Sequence, residues 1–104
     1  MNVTWILPDG RKITAQVRTG QTLMEAARAN RVPLILGECG GNMACATCHV
    51  LVDPAFAALT GTPSGFEDAM LDATEAPRAP ASRLSCQLTA RDEWEGLILR
   101  VPQP

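Results

Sequence analysis

The chain opens on two short runs in which apolar and polar positions alternate. Residues 2–7, Asn-Val-Thr-Trp-Ile-Leu, and residues 12–18, Lys-Ile-Thr-Ala-Gln-Val-Arg, have the period of strands. Pro8-Asp9-Gly10 separates them, with a proline that presets φ and a glycine that tolerates positive φ, so the pair predicts a β-hairpin. The period then lengthens. Thr22 with Glu25 three positions on forms a capping box, opening a helix to about Asn30 whose core side is Leu23, Ala26, Ala27 and then Val32. Pro33 is expected to end it. Residues 49–52 read as a strand, 54–60 as a helical turn and 61–65 as an exposed loop. Residues 66–74 read as a helix with Phe66, Ala69, Met70 and Ala73 inward. Pro77 and Pro80 exclude regular structure, and residues 84–88 and 97–101 read as the last two strands. A hairpin, a helix, then strands with short helices between them predict an α+β fold. No repeat or linker interrupts residues 1–104, which read as a single domain.

Composition narrows the function. A chain of 104 residues with 46% hydrophobic content can bury a modest core. Its formal charge of -2 argues against nucleic acid as a partner. No apolar stretch is long enough to span a membrane, and the opening residues show no signal or transit pattern, so a cytoplasmic protein is expected. In that reducing setting cysteines favour metal over disulfides.

There are four cysteines: Cys39, Cys45, Cys48 and, far downstream, Cys86. Three share the loop Cys39-Gly40-Gly41-Asn42-Met43-Ala44-Cys45-Ala46-Thr47-Cys48. A loop that gathers three thiolates and takes a fourth from elsewhere is a way to hold one iron–sulfur cluster. Gly40 and Gly41 let the backbone wrap closely, Ala44 and Ala46 keep the surroundings small, and Thr47 offers a hydroxyl to sulfur. Structural zinc is the alternative, as a zinc-stabilised interaction module, although zinc sites usually show two CxxC knuckles and only Cys45 and Cys48 form one. A Rieske centre needs two histidines, and His49 is the only one. A cluster would deepen the negative charge, so Lys- and Arg-bearing partners are expected.

The spacing Cys39-x5-Cys45-x2-Cys48 with Cys86 resembles the adrenodoxin-type (vertebrate-type) [2Fe-2S] ferredoxins. So do Cys45-Ala46-Thr47-Cys48-His49-Val50, Glu67-Asp68-Ala69-Met70-Leu71-Asp72, Ser82-Arg83-Leu84-Ser85-Cys86-Gln87 and Leu99-Arg100-Val101-Pro102. The resemblance covers essentially the whole chain. It implies a β-grasp fold with a mixed sheet and one main helix. It implies one [2Fe-2S] cluster per chain on Cys39, Cys45, Cys48 and Cys86. The implied activity is that of a monomeric one-electron carrier, not an enzyme. Electrons would pass from an FAD-containing, NAD(P)H-dependent ferredoxin reductase to a monooxygenase, foremost a cytochrome P450. Service to iron–sulfur cluster assembly or to a Rieske oxygenase is the other implied role. Some P450-serving members end in an aromatic residue, whereas this sequence ends Val101-Pro102-Gln103-Pro104.

Other residues carry two readings each. His49 is either a proton relay or iron ligand, or a buried brace, and the resemblance favours the brace. Glu67, Asp68, Asp72 and Glu75 form an acidic run, with Asp68, Asp72 and Glu75 at helical spacing. Taken alone it is a solvated face, and the resemblance makes it the docking face for basic partners. Arg83 is expected to pair internally with Glu67. Trp5 and Trp94 are expected in the core. Met43 would shield the cluster loop.

Overall fold

The computed structural model describes residues 1–32, 49–63, 65–72 and 78–102, and of Phe66 only the backbone. Five strands form one sheet: β1 Asn2–Ile6, β2 Lys12–Gln16, β3 His49–Val52, β4 Ser82–Leu84 and β5 Leu97–Arg100. Their spatial order is β2-β1-β5-β3-β4. β1 and β5 run parallel, and the other neighbours are antiparallel. Three helices accompany the sheet: α1 Leu23–Ala29, α2 Ala57–Thr60 and α3 Gly65–Leu71. Short 3-10 turns lie at Pro54–Phe56, Ser85–Gln87 and Asp92–Trp94. This is the mixed-sheet, α+β arrangement of the β-grasp fold.

The hairpin forms as its pattern predicts, with Gly10 at φ 91, where a side chain would be strained. Val3 and Trp5 point inward and face Leu97 and Leu99 across the parallel pair. Each such side chain, once buried, contributes about 1.5–3 kcal/mol, more than strand propensity supplies. Val50, Val52, Leu23, Ala26, Ala27 and Leu71 complete the same core. Thr22 and Glu25 close the capping box at the start of α1. The backbone N–H of Leu23 donates to the Leu88 carbonyl at 2.8 Å, and that of Ala90 to the Gln21 carbonyl at 2.8 Å. The start of α1 is thereby fastened to the segment that follows Cys86.

Helix α1 ends at Ala29 with Asn30 as its C-cap, as expected, and Arg31 at φ 57 turns the chain there; Pro33 lies outside the described residues. Three expectations need correction. The hairpin's second strand spans Lys12–Gln16, short of the expected Arg18, although Val17 and Met1 exchange one more ladder pair, with the Val17 N–H donating to the Met1 carbonyl at 2.8 Å. The strand expected at 84–88 ends at Leu84, because the Leu88 N–H returns to the Ser85 carbonyl and closes a 3-10 turn. Helix α3 spans Gly65–Leu71 and turns Glu67 and Leu71 inward while leaving Ala69 exposed. Met70 packs on the core as expected, while Ala69 is displaced outward because Glu67, although charged, turns in to a buried partner. Ala73 lies outside the described residues.

Candidate functional site

Cys86 occupies the 3-10 turn between β4 and the strap onto α1, and it is buried. The side-chain amide of the exposed residue Gln87 donates to its Sγ at 3.5 Å. Cys39, Cys45 and Cys48 lie outside the described residues, with Gly40, Gly41, Met43, Ala44, Ala46 and Thr47. The register nevertheless fixes one relation. His49, which directly follows Cys48, pairs with Leu84, two residues before Cys86. β3 and β4 therefore bring the end of the cysteine loop alongside the turn that carries the fourth cysteine.

His49 is buried at that junction. Its Nε2 lies 2.7 Å from the Ser82 hydroxyl oxygen, which also accepts the Ala79 N–H at 2.8 Å. Burial, then the nearby Arg78 cation, holds its pKa below the ordinary imidazole value. Its Nδ1 is buried and has no hydrogen-bond partner among the described residues. This buried contact ties the start of β3 to β4. Ser82→Ala should therefore strand both Nε2 and the Ala79 N–H. We expect it to lower stability by about 1–3 kcal/mol in a thermal or denaturant melt, and an unchanged melt would contradict this account.

The acidic run divides in the fold. Glu67 is 5% exposed. Its Oε2 accepts from Arg83 Nε at 2.6 Å and from the Leu84 N–H at 3.0 Å, and its Oε1 accepts from Arg83 Nη2 at 3.0 Å. Arg83 also donates through Nη1 to the Thr60 carbonyl at 2.8 Å. Glu67 is thus the expected partner of Arg83, and it is withdrawn from any docking face. Asp68 and Asp72 remain exposed, with side chains 58% and 73% accessible. Arg78 bridges them, at 2.5 Å to Asp68 and 3.0 Å to Asp72, and donates to the Asp68 carbonyl at 2.9 Å. Glu75 lies outside the described residues. The sequence signal for Arg78 was faint: a single basic residue beyond Pro77, brought back onto α3 by the turn.

The described part of this site suits a thiolate-bound cluster. It offers a soft sulfur in a buried turn, an amide N–H directed at that sulfur, and an unpartnered imidazole nitrogen at the junction with the cysteine loop. Among the described residues no helix is long and apolar enough to cross a membrane.

Residues 6–91 match the family described as the 2Fe-2S iron-sulfur cluster binding domain. Rhodocoxin of Rhodococcus erythropolis is 48% identical over 101 residues, covering 97% of this chain and 94% of the relative. The crystal structure of a ferredoxin from Rhodopseudomonas palustris HaA2 superposes with a TM-score of 0.95 at 43% identity, covering 99% of this chain and 97% of that one. Putidaredoxin in its covalent complex with putidaredoxin reductase gives a TM-score of 0.95 at 38% identity, with 100% of both chains covered. With the β-grasp sheet and the cysteine spacing, these similarities show that the chain belongs to the [2Fe-2S] ferredoxins of adrenodoxin type, a family of one-electron carriers.

Proposed function

We propose that this ferredoxin carries single electrons from an FAD-containing, NAD(P)H-dependent reductase to a cytochrome P450 in the cytoplasm, as a single-domain monomer. Cys39, Cys45, Cys48 and Cys86 would hold the [2Fe-2S] cluster, which when bound supplies a one-electron couple. The observation that carries this assignment is Cys86 itself, buried and receiving an amide hydrogen bond, on the turn that β3 and β4 set beside the end of the cysteine loop. The likeness to putidaredoxin seated on its reductase supports a flavoprotein donor. The resemblance of the cysteine and helix motifs to P450-serving members supports the acceptor.

The chain's own residues do three things in this reading. The cysteines bind, His49 and Ser82 hold the loop's end against β4, and the exposed carboxylates Asp68 and Asp72 orient a basic partner. Arg78 leaves that face with one net negative charge instead of two. The purified protein should contain about two irons and two acid-labile sulfides per chain. It should support P450 turnover when a reductase and NAD(P)H are supplied. One zinc and no sulfide would sink the assignment, and turnover with a Rieske oxygenase alone would move the acceptor.

Docking has its own test. Asp68→Asn with Asp72→Asn should slow reduction by the flavoprotein about fivefold at low salt, since an exposed contact is worth about 0.5 kcal/mol. Arg78→Gln should shift the rate in the opposite direction, because it uncovers both carboxylates. Added salt should slow the wild type by screening the same charges. If neither variant changes the rate or its salt dependence, α3 is only a solvated face.

A further inference from the structure

Gln87 joins two environments. Its residue is exposed, yet its amide nitrogen reaches the buried Sγ of Cys86 at 3.5 Å. It also lines a shallow groove with Leu59, Arg91 and Trp94. The Trp94 indole N–H donates to the Leu59 carbonyl at 3.2 Å, tying two walls of the groove together. The chain immediately beyond is held as well: the Leu88 carbonyl accepts the Leu23 N–H, and the Leu88 N–H returns to Ser85. The backbone that carries Gln87 is therefore fixed on both sides, and its short reach to the preceding residue's sulfur is constrained by the 3-10 turn.

We propose that Gln87 is a positioning residue for electron transfer, one whose amide N–H stabilises the Cys86 thiolate and makes the bound cluster easier to reduce. The inference rests on Cys86 being a ligand. Reduction adds one electron and no bond is made or broken, so the chain must accommodate an extra negative charge. A hydrogen bond to a ligand sulfur favours the more negative state and raises the potential. Because Gln87 is exposed, a partner covering the groove would remove water from around this bond and strengthen it.

The experiment is a redox titration of the cluster-loaded Gln87→Leu, Gln87→Glu and Gln87→Asn variants, with the visible charge-transfer absorption and circular dichroism of the cluster recorded in parallel. Gln87→Leu keeps bulk and loses the donor. Its ratio of reduced to oxidised protein at fixed poise should fall about threefold, near 30 mV for a one-electron couple in which tenfold is 59 mV. Gln87→Glu loses the donor and adds charge, so its fall should be larger. Gln87→Asn shortens the side chain by one methylene, and its potential should fall as that of Gln87→Leu does. Variants that load with cluster and titrate at the wild-type potential would overturn the proposal, as would a shift to more positive values. So would failure of all three to load while Cys86→Ser fails likewise, since Gln87 would then be needed for assembly instead of for tuning. A Cys86→Ser protein with the wild-type spectrum and potential would instead overturn the ligand assignment beneath it.

Discussion

Cys86→Ser is expected to abolish stable cluster binding. Purified from cells, the variant should be colourless or should bleach within the preparation, with iron and sulfide far below the wild-type content. The physical reason lies in the turn. A serine at this position places a hard oxygen where a soft ligand is required. The turn cannot readily offer a substitute, since Ser85 on one side is buried and Gln87 on the other has no ligating group of comparable softness. The loss should spread into the fold. A group bound only by the native state stabilises it by mass action, so the variant should also melt earlier than the loaded wild type. Metal and sulfide analysis with visible absorption checks the first effect, and a melt checks the second. Wild-type absorption in Cys86→Ser would remove this residue from the ligand set.

Glu67→Ala should be the most damaging substitution away from the cysteines. It leaves the Arg83 guanidinium, whose side chain is only 9% exposed, without its carboxylate. It also strips the Leu84 N–H of its acceptor on the outer edge of β4, the last strand in the sheet order. Breaking a buried pair by removing one partner costs about 3–5 kcal/mol. Against a total stability of about 5–15 kcal/mol for a small domain, that is a large share. The melting temperature of the loaded protein should fall by about 15–25 °C. Glu67→Gln, which retains an acceptor for one donor, should fall less. A drop of only a few degrees in Glu67→Ala would mean that the pair is poorly formed or well hydrated.

These two residues also mark what can be read from the chain. Cys86 is legible because ligand spacing is a covalent fact, and the hairpin, the capping box and β3 are legible because their causes are local. Glu67 carried two expectations, a docking acid by its place in the acidic run and the internal partner of Arg83. The fold keeps the second, with Arg83 reaching it from sixteen residues along the chain. Arg78 was missed because its carboxylates lie beyond a proline, and no periodicity joins them. The 3-10 turn at Ser85–Gln87 was masked by an apolar-rich stretch that also suits a strand. Of the cysteine loop, sequence supplies the ligand pattern, while the described structure supplies its anchor at His49.

The placement of β5 has a consequence for how the protein is made. β5 lies between β1 and β3, so among the described strands it is the one that links the N-terminal hairpin to β3 and β4 within the sheet. About ninety residues separate β1 from β5, and at synthesis rates of roughly 5–20 residues per second the hairpin waits roughly five to twenty seconds for its second neighbour. During translation the inner edge of β1 stays unpaired. Another nascent copy on the same messenger could pair with that edge first. The pairing of β1 with β5 spans nearly the whole chain, and a contact that distant costs more loop-closure entropy and slows folding.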